Sequence, residues 1–240
     1  MNTLDSRVLS SFNCFAQKFA NPGRVVYRLT TPAGACLPLG DDEDTFVIEV
    51  GKKTRRPSEQ HNVTVRRSEG GALVAEPKLL QIEAGDMVLW HAADRKTPAF
   101  TLQGEGADMR FDSGAMQREA VYSHAFGLPG TYEWVDANGS DVRGVVEVVS
   151  PDARSREACN HWLKDLAKGT LIHVVDGKPK PAHVKIVAGQ TVFWAVESAP
   201  GISITDARLV QRPKQRPAPK PAASNGKKPR ARKGTKEKAK

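Results

Sequence analysis

Six histidines and three cysteines are the residues of this chain best suited to metal or nucleophilic chemistry. His61, His91, His124, His161, His173 and His183 are scattered. No two stand at the HxH or HxxxH spacing that brings imidazoles onto one metal. His173 and His183 fall on predicted strands of one sheet region, where they could face each other, but each of the six reads first as a satisfied or exposed structural histidine. Cys14, Cys36 and Cys159 are an odd number with no CxxC pair. That is no disulfide framework and suits a reducing compartment. A lone thiol with no base visible nearby is expected to be inert. Asp41, Asp42, Glu43 and Asp44 form an acidic run, and Asp136 and Asp141 flank a loop. Neither has the spaced D-x-D-x-D-G order of a calcium loop, so both read as solvated. The glycines of GEGADMRFDSG (104–114) lack the strand–loop–helix setting of a phosphate loop. No nucleophile, base and orienting acid can be assembled, and the expectation is a non-enzyme without a cofactor.

What the sequence does concentrate is positive charge. Residues 211–240 hold Arg212, Lys214, Arg216, Lys220, Lys227, Lys228, Arg230, Arg232, Lys233, Lys236, Lys238 and Lys240 against a single Glu237. Their net of +11 exceeds the +9 of the whole chain, which leaves residues 1–210 at about −2. This tail has five prolines and no aromatic or branched aliphatic residue, so it cannot bury a core and is expected to be disordered. Spaced cations lie along a polyanion and release its condensed counterions, which is the chemistry of nucleic-acid backbone binding. Without stacking aromatics, neither strong sequence readout nor single-strand preference is expected. The alternatives are a merely solvated charge run, or contact with an acidic protein or membrane surface.

The elements that must carry this tail read as strands. FVIEV (46–50), NVTVRR (62–67), KLLQIEAGDMVLW (78–90), RGVVEVV (143–149), LIHVV (171–175) and HVKIVAGQTVFW (183–194) are short apolar or alternating runs. Turn signals separate them, among them Gly70-Gly71, Pro129-Gly130 and Asn138-Gly139. An all-β sandwich architecture follows. One segment differs. In 151–168, Cys159, Trp162, Leu163 and Leu166 recur at helical spacing before Gly169, which predicts a helix linking two β units. No apolar run approaches the ~20 residues that span a bilayer, and the N-terminus has no secretory pattern, so a cytoplasmic location is expected.

The chain also repeats itself. EPKLLQIEAGDMVLW (76–90) aligns without a gap on KPAHVKIVAGQTVFW (180–194), so that Trp90 meets Trp194. LDSRVLSSFNCFAQKFANPG (4–23) aligns on FDSGAMQREAVYSHAFGLPG (111–130), and Tyr27 then falls on Trp134. Residues 60–150 therefore hold one whole unit, while 1–50 and 169–210 match complementary halves of it. A half-sandwich leaves edges and an apolar face uncovered, so the halves are expected to pair into a second, circularly permuted sandwich. The pairing lies within one chain or between two chains of a swapped dimer.

IEAGDMVLW, then FDSG, then YSHAFGLPGTYEW, then VRGVVEV resembles, in order and spacing, the cupredoxins of the plastocyanin and amicyanin type. The resemblance implies Greek-key β-sandwiches, most of which hold a type 1 copper through two imidazoles, a thiolate and a weak thioether. Laid on LPGTYEWVDANGSDVRG (128–144), the copper cysteine falls on Asp136, the second histidine on Gly139 and the methionine on Val142. The earlier histidine falls near Ala99. In the permuted unit the cysteine and histidine positions are about Leu29 and Gly201. None is a ligand, so the resemblance implies copper-less modules. The tail resembles those of linker histones and bacterial histone-like proteins. The expected function is largely sequence-independent binding of nucleic acid, DNA foremost, nucleoid-associated in a bacterium. The sandwiches are expected to serve self-association or a protein partner. The alternative is a structural adaptor, and residual copper electron transfer ranks behind both.

Overall fold

The first turn signal, Pro22-Gly23, ends one strand and opens the next, and that alternation continues along the chain. The computed structural model describes residues 3–31, 45–152 and 154–210. Strands run β1 (Asn13–Lys18), β2 (Gly23–Thr30), β3 (Thr45–Gly51), β4 (Gln60–Arg67), β5 (Leu73–Glu76), β6 (Leu79–Glu83) and β7 (Met87–Ala92). They continue as β8 (Thr101–Gly106), β9 (Met109–Asp112), β10 (Ala120–Ala125), β11 (Gly130–Val135) and β12 (Arg143–Val149). After helix α1 (Arg156–Leu166) come β13 (Thr170–Val175), β14 (Lys178–Lys180), β15 (His183–Val187), β16 (Thr191–Ser198) and β17 (Thr205–Asp206). The chain is all-β, as its alternating apolar runs require. No described helix is long and apolar enough to cross a membrane.

Three sheets form. The largest has the order β14-β13-β16-β10-β1-β7-β4-β5; a second is β6-β3-β2-β8-β9; a third is β15-β12-β11-β17. The five-stranded sheet packs on the β1-β7-β4-β5 half of the large one. There Trp90 lies 5.5 Å edge-on to Tyr27 and 5.2 Å from Phe111. The four-stranded sheet packs on the other half, where Trp194 lies 5.9 Å edge-on to Trp134. These fully buried rings fill the two sides of one hydrophobic cluster, and edge-on or offset geometry suits their quadrupoles.

The registers of the two halves correspond pair by pair. Cys14↔His91 in the first becomes Val121↔Ala195 in the second. Tyr27↔Phe46 becomes Trp134↔Gly144, and Val47↔Leu79 becomes Val145↔His183. Thr64↔Glu76 becomes His173↔Lys180. At the junction β1 pairs antiparallel with its own counterpart β10, and Phe15 lies opposite its equivalent Tyr122. The two halves are thus related by a local two-fold through that pair.

These pairings correct the expected division into 60–150 and 1–50 plus 169–210. β3 bonds to β6, and β12 bonds to β15, each across the expected boundary. The repeats are sequential: one sandwich takes β1 to β9, the other β10 to β17. Each strand finds its partner within its own stretch of chain, as short connections favour. Only the leading segments cross over. Ser6 donates its N–H to Ile204 O at 2.9 Å, and Ile204 N–H donates to Ser6 Oγ at 3.0 Å. Reciprocally, Ser113 N–H donates to Leu102 O at 3.0 Å, and Leu102 N–H to Ser113 Oγ at 3.2 Å. β9, which opens the second repeat, is accordingly an edge strand of the first sandwich.

The helix is corrected in the same way. α1 joins β12 to β13 inside the second sandwich and does not link two domains. Trp162 donates its indole N–H to Ala188 O at 3.0 Å, while Leu163 stays 58% exposed, so only part of the apolar stripe is docked. The glycines of 104–106 belong to the β8–β9 hairpin. A Cβ on Gly104 would sit 2.3 Å from the Phe111 ring, and one on Gly106 would sit 2.9 Å from Arg24 O.

Candidate functional site

All twelve tail cations, Arg212 to Lys240, lie outside the described residues, as do Cys36 and Asp41 to Asp44. The functional geometry of the body rests on its loops.

The loop 136–142 is held by Asp136, which follows β11. Its Oδ1 accepts from Asn138 N–H at 2.9 Å, Ser203 N–H at 2.8 Å and Ser203 Oγ at 3.1 Å; its Oδ2 accepts from Ser140 N–H at 3.0 Å. Burial alone would raise this carboxyl, but these donors outweigh it and hold the group below its ordinary value. Asn138 then donates to Gly114 O and Gly201 O. Where the resemblance puts a thiolate on a metal, a carboxylate instead clasps 136–142 onto 201–203. Gly139 turns the loop at φ +101°, and Val142 is buried. Ala99 is elsewhere: it precedes Phe100, which bridges Leu9, beside the β2–β8 pair that sets Leu29 against Leu102. The four positions Ala99, Asp136, Gly139 and Val142 are therefore not one site. Ser203 is the residue that meets Asp136, and Gly201 meets Asn138 beside it, because the sandwiches are sequential. Among the described residues no group of three or more His, Cys, Asp or Glu is arranged to hold a metal.

The histidines are placed singly. His173 on β13 pairs with Glu197, and His183 on β15 lies 3.7 Å from Glu147. They sit in different sheets and do not face each other, because after β14 the chain crosses at 181–182 from the large sheet to the four-stranded one. His91 is the cross-strand neighbour of Cys14. The imidazole is engaged by Thr64 Oγ1 at 3.3 Å and Ala92 O at 3.1 Å. Burial pushes the Cys14 thiol up, with Ser123 partly opposing, so it is a packed thiol and not a reactive one. His124 is 2% exposed, beside Asn13 and edge-on to Phe126 at 4.7 Å.

A surface cleft of about 530 Å³ runs between the repeats past Lys18, Arg24, Arg110 and Arg118. Asp108 and Glu119 share it, and Glu49 and Glu105 lie directly across from Arg24 and Arg110, so its charge is balanced.

One cationic feature lies wholly within the described residues, and the net charge of the body hid it. KKTRRPSE (52–59) connects β3 to β4. Arg56 donates to Asp86 Oδ2 at 2.6 Å and reaches Glu83 at 3.1 Å and Glu59 at 3.2 Å. Asp86 also accepts from Glu59 N–H and Glu83 N–H at 3.0 Å and meets His61 Nε2 at 2.9 Å. Burial opposes ionisation of Asp86, yet these partners prevail and hold its carboxyl far below the usual range. Thr54 donates N–H and Oγ1 to Glu83. Positions 54, 56 and 59 are thereby pinned, and Lys52, Lys53 and Arg55 remain exposed between the pins. The sequence signal was the run of four cations in five residues, diluted by acids elsewhere. Compared with known proteins, the chain matches no family model, no curated protein and no solved structure.

Proposed function

We propose that this chain is a non-enzymatic nucleic-acid-associated protein that binds DNA through Arg212 to Lys240, largely without regard to sequence. In this reading its two sandwiches are copper-less cupredoxin-type scaffolds, free for self-association or a protein partner. In a bacterial cell it would belong with the nucleoid in the cytoplasm. The observation that carries the reading is charge segregation: a +11 block of thirty residues follows a body of about −2. Support also comes from the body, where the loop positions that would bear copper are occupied by a hydrogen-bonding carboxylate, a turn glycine and a buried valine.

The test is a salt titration of binding to a short random-sequence duplex. The full chain is compared with a variant whose twelve tail cations are all glutamine. The full chain is expected to bind with Kd on the order of 10⁻⁴–10⁻⁶ M at physiological salt and to weaken steeply as salt rises. The variant should lose most of that affinity while its urea unfolding midpoint stays put. Equal binding by the two proteins would sink the reading.

A further inference from the structure

We infer that the β3–β4 connection is a second, preorganised phosphate-contact site, in which Lys52, Lys53 and Arg55 hold a nucleic-acid backbone together with the tail. This rests on the nucleic-acid reading above and adds a body-borne contact to it.

Three observations point the same way. The first is availability. Lys52, Lys53 and Arg55 are exposed, and each lacks an ion pair or hydrogen bond among the described residues. The nearby carboxylates are already engaged: Asp86, Glu83 and Glu59 turn toward Arg56, His61 and Thr54. The loop therefore presents Lys52, Lys53 and Arg55 outward, while Asp86 and Glu83 lie inward and the exposed Glu59 is paired with Arg56.

The second is rigidity. Thr54, Arg56 and the Glu59 N–H are tied to Glu83 and Asp86 on the neighbouring β6–β7 turn. Lys53 Nζ lies over the same turn, 3.2 Å from where a Cβ on Gly85 would be. Three like charges within four residues repel one another, and a flexible loop would spread them apart. Pinned backbone holds them together, so the ordering cost left when an anion arrives is that of the side chains alone.

The third is the internal comparison. The same connection in the second repeat, between β12 and β13, is built as α1 with flanking ion pairs. Arg154 there is matched by Asp152 at 2.8 Å and Lys168 by Asp165 at 2.8 Å, and with Arg156, Lys164 and Glu157 the connection sums to +1. KKTRRPSE sums to +3, so the fold tolerates a connection with less positive charge and the excess in the first repeat is not a folding requirement. Lys and Arg contacts to phosphate position a duplex without reading its bases, which agrees with a tail that lacks base-reading side chains.

The experiment uses the full chain, the triple variant Lys52→Gln/Lys53→Gln/Arg55→Gln, the tail-neutralised variant and the two combined. The probe is the same short random-sequence duplex. Each phosphate contact contributes about −0.9 to the slope of log affinity against log salt. The triple variant should flatten the slope by about 2 to 3 with an unchanged unfolding midpoint. The tail-neutralised protein should keep weak binding that the combined variant loses. A triple variant with the full chain's slope and affinity would overturn the loop site and leave the tail reading intact. Undiminished binding by the tail-neutralised protein, abolished by the triple change, would instead sink the tail reading and keep the loop. Binding of the full chain to phosphatidylserine vesicles, with none to the duplex, would overturn nucleic acid as the partner.

Discussion

His124 shows how one residue couples burial to pH. It sits on β10 with its ring against Phe126 and its Nδ1 3.5 Å from the Asn13 amide. Burial lowers its pKa to about 4, and the Asp206 carboxylate only partly opposes this. The unfolded imidazole titrates near 6.5, so below that pH the unfolded chain gains a proton that the native one refuses. Stability therefore falls as pH drops from about 6.5 to about 4, by about 2 kcal/mol between pH 7 and pH 5. The acids with depressed values begin to lose stability only near pH 5, as the unfolded carboxylates take up protons, and so overlap just the acid end of this window. The first repeat carries Gln17 at the equivalent position, so His124→Gln is a substitution that this fold already accommodates. Urea unfolding at pH 7 and pH 5 should show most of the acid loss removed in that variant. An unchanged pH dependence would mean that another group controls it. Little of this was legible in the sequence, where His124 is one of six histidines without a pattern; its burial depends on β1, more than a hundred residues away in the chain.

At the scale of elements, the β8–β9 hairpin shows how a glycine's role can escape its sequence. GEGADMRFDSG lacks the setting of a phosphate loop, and the sequence offers no other use for its glycines. The structure gives them a packing role: the missing Cβ of Gly104 leaves room for Phe111, which touches Trp90, Phe15 and Phe19. Gly104→Ala should therefore strain a well-packed core and cost about 1 to 3 kcal/mol, read as a lower thermal midpoint. A neutral result would mean that the ring has space to move. The alternating strands were legible because period two is local, and β12 begins and ends where RGVVEVV does. The docking of α1 was less so. Its contact depends on Gln190, whose Nε2 donates to Asp165 O at 2.7 Å and Lys168 O at 3.3 Å and so satisfies carbonyls at the helix end. In the first repeat the same turn position is Asp86, which accepts Arg56, His61 and the Glu59 N–H instead. One amide-for-carboxylate exchange thus accompanies a helix in one repeat and a cationic loop in the other.

At the scale of the whole molecule, sequence similarity found both copies but could not choose how their halves pair. Trp90 matches Trp194, and Pro22-Gly23 matches Pro129-Gly130, whether 1–50 closes on 60–92 or on 169–210. Alignment gives equivalence, and only hydrogen bonding gives partnership. The observed arrangement is two sequential repeats that meet at β1 and β10 and exchange their leading segments, Leu4–Ser6 onto one sandwich and β9 onto the other. Such reciprocity has the form of a two-fold dimer held in one polypeptide. A repeat cut free would keep an unpaired β10 edge and would lose the segment that covers its last strand, and bare edges of this kind favour association. A second copy supplies both needs at once: β10 would pair with β10, Tyr122 opposite Tyr122, and each leading segment would cover its partner's β17. Residues 107–210 expressed alone should therefore form a closed dimer, measured as twice the chain mass in sedimentation equilibrium. Ser113→Pro should weaken that dimer, because it removes the N–H that Leu102 O accepts here and the Oγ that Leu102 N–H meets. A folded monomer of 107–210 at all concentrations would show that the junction is a product of covalent linkage and that each sandwich closes by itself.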